Sequence, residues 1–330
     1  MSAVAPLLEA FFIDRLARQR DASSHTVAAY RDGLRLLLRF VHDRTGKAPS
    51  KLDFSDLDAP TIGAFLEHLE SERGNSVATR NARLAALRSF FSYAALSCPE
   101  HAGLIQRVLA IPDKRVDRAV VSFLTPIELD ALLQSPDRST WIGRRDHALL
   151  VVAAQTGLRV SEITGLAVKD VELGTGAHLW CQGKGRKYRC TPLTPTSVSV
   201  LKAWERERRG EPDDPLFPSR NHGHRLSRDS VEHLVNKHAV AAHDRCPALR
   251  KKTVTPHTLR HSCAMTLLHS GVDVATIALW LGHEGIESTN VYIHADLATK
   301  ERALARTAPP NTTPGRYRPP DDLLAFLDAL

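Results

Sequence analysis

The chain has 330 residues, with 44 Lys and Arg against 37 Asp and Glu, a formal net charge of +7 and 43% hydrophobic residues. This balance excludes a disordered acidic chain, and the length predicts about two domains. The sequence has no uncharged apolar run of about 18 residues and does not begin like a signal peptide, so we expect a soluble intracellular protein with no membrane partner. Five cysteines without CxxC spacing fit a reducing compartment and argue against a disulfide framework.

The first hundred residues have the periodicity of helices. In the segment 23–46, apolar residues recur at steps of three and four behind a serine that can cap the helix. A second such segment begins at Ser76, and Arg80 and Arg83 lie outside its apolar face. Together with the segments before and between them, this pattern predicts a bundle of about four helices over residues 1–110.

Two segments have the composition of linkers. Residues 111–124 are charged, lack helical periodicity and contain Pro112, so we assign them to a connection between domains. Residues 308–320 contain five prolines and predict an extended tether. The last ten residues, 321–330, then predict a short amphipathic helix that needs a surface to dock on. We therefore treat 307–330 as a separate C-terminal segment.

A second domain is predicted over residues 125–306. Thr125 and Pro126 fit the cap and the first position of its first helix. Residues 168–193 alternate in polarity and are interrupted by four glycines, which predicts two or three short strands with a tight hairpin near Gly183. The chain then returns to a mostly helical pattern.

Four short fragments hold the residues that carry chemistry, namely TGLRVSE, GKGRK, HTLRH and LGHEGIESTNVY. The first and third supply Arg159 and Arg260, and the second supplies Lys184. A phosphodiester in its transition state gains negative charge on two non-bridging oxygens, and guanidinium groups match that geometry while staying charged. Each residue alone is more typical of a surface arginine or a solvated turn, but together they suit phosphoryl transfer.

The fragment HTLRH predicts a helix start with two histidines on one face. Thr255 and Pro256 fit the cap and the first position, so His257 lies in the first turn, where exposed amides and the helix dipole favour a phosphate. His261 follows four residues later, and such a pair would also suit zinc. Because HExxH is absent and the cation Arg260 lies between the two histidines, we predict no metal.

The last fragment contributes His283 and Tyr292. His283 follows an apparent helix stop, where a lone histidine is more often structural. A tyrosine hydroxyl has a pKa near 10 and is a poor nucleophile unless cations and a base surround it. The other fragments can supply both, although a single tyrosine is more often part of a core or an interface.

The order and spacing of these residues resemble those of the tyrosine recombinase (phage integrase) family. The separations are 25 residues from Arg to Lys, 73 from Lys to HxxR, 23 from HxxR to His and nine from His to Tyr. The segment SVATRNARLAALRSFFSYA is similar to the family's core-binding domain, so the resemblance covers nearly the whole chain. It implies a mainly α fold with a small antiparallel β-sheet. The N-terminal domain is then a helical core-binding (SAM-like) domain, and the second is a DNA breaking-rejoining catalytic domain.

The resemblance also implies how DNA is cleaved. Tyr292 attacks the scissile phosphate and becomes joined to the 3′ phosphate, which releases a 5′ hydroxyl. Lys184 protonates the leaving 5′ oxygen, and His257 assists proton transfer. A covalent phosphotyrosine preserves the free energy of the phosphodiester, so we expect no ATP, metal or other cofactor.

The remaining site residues bind the phosphate or orient the side chains that bind it. By resemblance, Arg159 and Arg260 hold the non-bridging oxygens, and His283 donates a hydrogen bond to the phosphate. Glu162 matches an acidic position of the family and orients the arginine or histidine. His261 is adjacent to the motif but is not part of its catalytic pattern, so we assign it a structural role.

We therefore predict a site-specific DNA recombinase, encoded by a mobile element and acting in the cytoplasm at the nucleoid. Its expected partners are double-stranded DNA with inverted repeats and further copies in a homotetramer, alone or with related recombinases. The C-terminal segment would dock on a neighbouring subunit or pack on its own domain. The alternatives are a type IB topoisomerase that acts as a monomer and a catalytically silent DNA-binding protein of the same fold.

The charge is unevenly distributed. Residues 178–261 hold 17 Lys and Arg against 8 Asp and Glu, so the positive surplus lies in the stretch that contains Lys184 and Arg260. Phosphate contacts from such residues supply DNA affinity. Arg80 and Arg83 are candidate groove readers in the N-terminal domain, although a merely solvated helix face explains them nearly as well.

Overall fold

The chain divides into two compact units, Met1–Ala119 and Val120–Leu330, and each has its own hydrophobic core. The computed structural model describes residues 4–116, 121–183, 188–220, 223–283, 289 and 292. The predicted tether and terminal helix, 307–330, lie outside these residues, and so does Lys184. No helix in the described ranges is both long and apolar enough to cross a membrane.

The first unit is a helical bundle. Its helix α2 (Ser24–Thr45) begins after Ser23, whose hydroxyl accepts a hydrogen bond from the Thr26 amide at 3.2 Å, as the serine cap predicted. Apolar side chains of α2 and α4 (Val77–Ser97), such as Leu37 and Phe90, are fully buried in the core between the helices. A π-helical stretch, Phe11–Gln19, continues the first helix. The α-helices are α1 (Val4–Ala10), α2 (Ser24–Thr45), α3 (Ala59–Ser71), α4 (Val77–Ser97) and α5 (Ala102–Leu109).

Helix α4 carries arginines that form hydrogen bonds within the first unit. Arg80, which we expected on the solvated side of the helix, has only 6% of its surface exposed. Its guanidinium donates to the Pro112 carbonyl at 3.1 Å and to the Asn81 side chain at 2.9 Å. Arg83 is half-buried and donates to the Ala29 carbonyl at 2.8 Å. The expected exposure of Arg80 is therefore wrong, because backbone and amide oxygens of the same unit accept its hydrogen bonds.

The predicted linker, 111–124, is bonded to a different unit at each end. Near its start, the Asn81 side chain donates to the Lys114 carbonyl at 2.7 Å and accepts the Lys114 amide at 3.1 Å. At its end, the amide of Leu124 donates to the Ser262 hydroxyl at 2.8 Å, and Leu124 is buried in the second core. The described ends of this segment therefore have fixed hydrogen-bond partners.

The second unit is built around helix α7 (Trp141–Thr156). Its residues 148–154 are buried, and the helix packs against α9 (Pro195–Arg208) and α11 (Pro256–His269). Thr125 and Glu128 form a capping box at the start of α6, with Pro126 at the first helical position, as the sequence predicted. The helices are α6 (Pro126–Leu133), α7 (Trp141–Thr156), α8 (Val160–Gly165), α9 (Pro195–Arg208), α10 (Arg228–Ala241), α11 (Pro256–His269) and α12 (Val274–Leu281).

A small antiparallel sheet lies between α8 and α9 in the sequence, which confirms the predicted strands. Its strands pair in the order β1-β2-β3, and Arg189 of the third strand lies opposite Cys181 of the second. Tyr188 and Cys190 are exposed, whereas Arg189 is half-buried and Thr191 is buried, so the inward face carries an arginine. The strands are β1 (Val171–Glu172), β2 (His178–Gln182) and β3 (Tyr188–Pro192).

A buried ion cluster joins α7 to α10. Asp146 of α7 accepts hydrogen bonds from Arg145 at 2.7 Å and 3.0 Å, and its other oxygen lies 2.9 Å from Nε2 of His238. Arg145 also donates to the Pro218 carbonyl at 3.0 Å. Burial acts to raise the pKa of Asp146, but the hydrogen bonds from His238 and Arg145 outweigh it and hold the pKa below its usual value.

Candidate active site

The turn after α7 brings two arginines together. Gly157 ends the helix with φ of +63°, and a Cβ there would lie 2.7 Å from a Leu281 methyl group, so only glycine fits. Arg159 follows as the N-cap of α8. The carbonyl of Gly157 accepts a hydrogen bond from Arg260 of α11 at 2.7 Å. The turn therefore positions one arginine and accepts a hydrogen bond from the other.

Arg260 is a buried cation. Only 4% of its surface is exposed, and its second terminal nitrogen donates to the Leu281 carbonyl at 2.9 Å. Burial and then the neighbouring charge of Arg159 lower the pKa of Arg260 to about 10. Arg260 still carries its charge at neutral pH, and the bonds to two carbonyls fix the plane of its guanidinium.

Glu162 lies between two guanidinium groups. Its carboxylate accepts the backbone amide of Arg159 at 2.7 Å and the Arg159 side chain at 3.0 Å. Arg189 of β3 donates to the two carboxylate oxygens at 3.1 Å and 2.8 Å, a bidentate pair. Glu162 has only 5% of its surface exposed. This carboxylate therefore connects α8 to the sheet and orients Arg159.

The end of α12 completes this cluster. Gly282 has φ of +66° and caps the helix, and its carbonyl accepts Arg159 at 3.0 Å. A side chain at Gly282 would overlap the Arg189 guanidinium. His283 follows directly, with Nδ1 2.7 Å from the Thr289 hydroxyl. Burial, and then the charges of Arg260 and Arg159, lower the pKa of His283 to about 4, so it is neutral at physiological pH.

Tyr292 is buried beside two histidines. Its phenol has 2% of its surface exposed and packs in a small core with Met265 and Ile277. The hydroxyl lies 3.0 Å from Nδ1 of His261, and its ring stacks on His283 at 6.4 Å between centroids and 12° between planes. Burial raises the pKa of Tyr292, while the charge of Arg260 opposes that rise. The phenol therefore keeps its proton at neutral pH.

The two histidines of α11 differ in their surroundings. His257 lies in the first turn, as the cap at Thr255 and Pro256 predicted, and its side chain is exposed. His261 lies one turn later on the same face, half-buried, with 6.5 Å between the two ring centres. Of the two histidines of α11, His261, to which we had assigned a structural role, is therefore the one that contacts the hydroxyl of Tyr292.

The structure brings most of the predicted residues into one region, with Lys184 outside the described ranges. Two residues of this region, Arg189 and His261, were missed as functional candidates. Strand alternation could have marked Arg189, since it puts this cation on the inward face next to the expected site. The spacing of four from His257 could have marked His261. The predicted residues that lie in this region are Arg159, Glu162, His257, Arg260, His283 and Tyr292.

Chemically, this region can bind an anion and supply a nucleophile. Arg159 and Arg260 each use terminal nitrogens on internal oxygens, and a guanidinium has five N–H donors, so donors remain for a ligand. The phenol of Tyr292, with the neutral imidazole of His261 next to it, lies close enough to Arg260 for that charge to act on its pKa. Guanidinium donors next to an oxygen nucleophile suit attack on a phosphate.

Comparisons with known proteins agree with this chemistry. Residues 122–298 match the phage integrase family, and residues 10–97 match the N-terminal SAM-like domain of phage integrases. The chain is 55% identical over 329 residues to "Putative integrase/recombinase y4rC" of Sinorhizobium fredii, covering 100% of this chain and 99% of that protein. It is 31% identical over 312 residues to tyrosine recombinase XerD of Pseudomonas putida, covering 92% of this chain and 97% of that protein.

A solved structure shares the fold. The crystal structure of XerH site-specific recombinase bound to a palindromic difH substrate, in a post-cleavage complex, superposes with a TM-score of 0.69 at 26% identity. The match covers 87% of this chain and 81% of that chain. The fold and family predictions are thereby confirmed, and the chain belongs to the phage integrase family of tyrosine recombinases.

Proposed function

We propose that this protein is a site-specific DNA recombinase that cleaves and rejoins duplex DNA through a covalent bond between Tyr292 and a 3′ phosphate. The observation that carries the proposal is the packing of a buried phenol against His261 and His283, close enough to Arg260 for that charge to act on its pKa. A phenol in these surroundings is poised to attack a bound phosphate, not merely to fill a core.

Each residue of the site has its own role in the proposed reaction. Arg159 and Arg260 hold the non-bridging oxygens with the N–H donors that their internal bonds leave available, and His283 donates to the same phosphate. Glu162 orients Arg159. Lys184 gives a proton to the leaving 5′ oxygen. His257, exposed in the first turn of α11, assists proton transfer at the phosphate. Rejoining reverses these steps, with a 5′ hydroxyl as the attacking group.

The proposal extends to the whole chain. Residues 1–110 act as the core-binding domain and 125–306 as the catalytic domain on double-stranded DNA with inverted repeats. Four copies exchange strands at the nucleoid on behalf of a mobile element. A relative named XerD and a XerH structure bound to a palindromic substrate support DNA with two matching half-sites as the partner.

We further infer that the last ten residues, 321–330, dock on a second copy. An apolar groove of about 350 Å³ in the second unit supports this, with a lining that includes Leu129, Leu133, Leu267 and Trp280. The terminal segment carries leucines and a phenylalanine at helical spacing, which matches an apolar groove in chemistry.

The test is trapping on a suicide substrate, a duplex nicked near the crossover so that the cleaved strand diffuses away. The wild-type chain should form a protein–DNA adduct that survives denaturant, without ATP or metal. Tyr292→Phe should form none, while the control Tyr93→Phe, which removes a hydroxyl in the first unit, should react normally. An adduct that persists in Tyr292→Phe, or no adduct on half-sites recovered from the DNA beside the gene, would overturn the assignment.

A further inference from the structure

The hydroxyl of Tyr292 has a specific partner that the motif pattern does not assign. Nδ1 of His261 lies 3.0 Å from the phenolic oxygen, within hydrogen-bond reach. The two rings meet edge to face, with centroids 5.6 Å apart and planes at 63°. We propose that His261 is the general base that takes the proton of Tyr292 as the phenol attacks phosphorus; this inference rests on the proposed function.

His261 is better placed for this task than His257. Both rings lie on one face of α11, but His257 is exposed in the first turn, whereas His261 is half-buried against the phenol. Next to His261, the hydroxyl of Ser262 binds the Leu124 amide and the Thr258 carbonyl, which anchors this turn of the helix. A base that already contacts the hydroxyl is in position to take its proton.

The charge state of His261 suits a proton acceptor. Burial, and then the nearby His257 and Arg260, lower the pKa of His261 to about 4, so the ring is neutral and has a free lone pair at physiological pH. In the described part of the chain, the charged and titratable groups that act on this cluster also include Tyr292 itself, Cys263, Arg159, Arg189, and His283 from the end of α12. A phosphodiester bound beside Arg260 brings a negative charge, which raises the pKa of His261 toward the working pH.

The transfer of the phenolic proton accompanies the exchange of bonds at phosphorus. With its own proton on Nε2, His261 accepts the phenolic proton at Nδ1 while the Tyr292 oxygen forms a bond to phosphorus. The bond from phosphorus to the 5′ oxygen breaks, and that oxygen keeps the electron pair and takes a proton from Lys184. In rejoining, the 5′ hydroxyl gives its proton to the neutral amine of Lys184 as it attacks phosphorus, and the imidazolium of His261 returns its proton to the departing phenol.

The main test is His261→Asn, measured as the rate of adduct formation in a single turnover on the suicide substrate. Asparagine retains an acceptor near the position of Nδ1 but cannot take a proton. We expect a rate lower by about 10²- to 10⁴-fold, the usual contribution of a general base. His269→Asn, the same change on an exposed histidine of the same helix, should react at the wild-type rate.

The pH profile separates a base from a purely structural residue. The wild-type rate should level off above the pKa that His261 has in the DNA complex. The rate of His261→Asn should keep rising about tenfold per pH unit, because only phenolate formed by solvent can attack. His261→Ala gives a second arm, since added imidazole should restore part of its rate.

A substrate with sulfur in place of the bridging 5′ oxygen separates the base from the acid, because a thiolate leaves without a proton. This substrate should restore cleavage to Lys184→Ala but not to His261→Asn. A wild-type or faster rate in His261→Asn, a pH profile parallel to the wild type, or rescue by the sulfur substrate would overturn the role of His261. Those results leave the Tyr292 adduct intact, whereas failure of the proposed function removes the adduct itself.

Discussion

A single carboxylate holds the arginines of this site in place. Glu162 accepts three hydrogen bonds from side chains, one from Arg159 and two from Arg189, and a fourth from the Arg159 backbone. Arg260 lies near the same group. Without a negative charge at this position, three guanidinium groups would face one another in a largely buried region, which costs much more than the same charges in water.

Glu162→Gln tests this balance. The amide keeps the shape of the carboxylate but removes its charge and presents N–H groups to donors that need an acceptor. We expect the free energy of unfolding to fall by about 3 kcal/mol, as for removal of one partner of a buried pair, and adduct formation to slow as Arg159 loses its orientation. Urea denaturation and the suicide substrate measure the two effects.

Glu232→Gln is the matched control for this change, since Glu232 is exposed on α10. It should shift the free energy of unfolding by less than about 0.5 kcal/mol. Equal unfolding midpoints for Glu162→Gln and the control would contradict the view that Glu162 balances the arginines.

The sequence predicted which residues belong to the site better than it predicted their individual contacts. Motif spacing identified Arg159, Arg260 and Tyr292 as one group, because their order along the chain is distinctive. Helical periodicity misplaced Arg80, since the carbonyl that binds it belongs to Pro112, 32 residues further along the chain. It could not choose between His257 and His261 either, because that choice depends on where the fold brings a tyrosine 31 residues further along.

Helix ends position the site. Helices α7 and α12 both end at a glycine with positive φ, and the carbonyls at these ends accept hydrogen bonds from Arg159 and Arg260. The sequence predicted the helix stops and the strands, which depend on local turn chemistry. It did not predict that the carbonyls at two helix ends would fix the arginines, because that contact joins segments more than 100 residues apart.

The ion cluster between α7 and α10 should stabilise the second unit. Asp146→Asn removes the charge that pairs with Arg145 and His238 in a buried place. Breaking a buried pair leaves its partner uncompensated, so we expect a loss of about 3 to 5 kcal/mol in the free energy of unfolding near pH 7. Asp130→Asn, an exposed carboxylate on α6, should have little effect.

The loss of unfolding free energy in Asp146→Asn should depend on pH. The pKa of Asp146 in the folded protein lies below its usual value, so its stabilising effect is complete above the unfolded value of about 3.9. It disappears as the pH falls through the folded pKa. The difference in the free energy of unfolding between the wild type and Asp146→Asn should therefore be largest near neutral pH. It should become smaller below about pH 4, as measured by urea denaturation. If this difference stayed constant over the same pH range, the charge of Asp146 would not be what stabilises the cluster.

The cations of the basic stretch 178–261 do not all have the same role. Its charge surplus includes Arg189 and Arg260, which are inside the candidate site, and Arg208, whose side chain is 5% exposed beside Asp214. Ten other described cations of the stretch are exposed, namely Lys202, Arg206, Arg209, Arg220, Arg225, Arg228, Lys237, Arg245, Arg250 and Lys251. A count along the chain does not separate buried from exposed groups, so among the described residues only these exposed cations and their counterparts among the acidic residues define the surface charge available to DNA.

The terminal segment gives the prediction that concerns assembly. Leu323, Phe326, Leu327 and Leu330 recur at the spacing of one helix face, and the groove beside Trp280 offers them an apolar surface. Deleting residues 321–330 should leave binding to a single half-site unchanged and reduce the fraction of four-copy complexes on full sites. Mass photometry of the DNA complexes measures that fraction.

A groove variant shows whether the segment and the groove are partners. Thr266→Glu puts a charge at the exposed rim of the groove, where the three aspartates of the segment would repel it. If the two surfaces meet, the truncation and Thr266→Glu should lower assembly by similar factors, and the double variant should be no worse than either. Docking between copies also requires that mixing the two single variants restore part of the assembly, since one supplies an intact groove and the other an intact segment. Additive effects would show that the segment binds elsewhere, and a mixture no better than its components would show that it packs on its own chain.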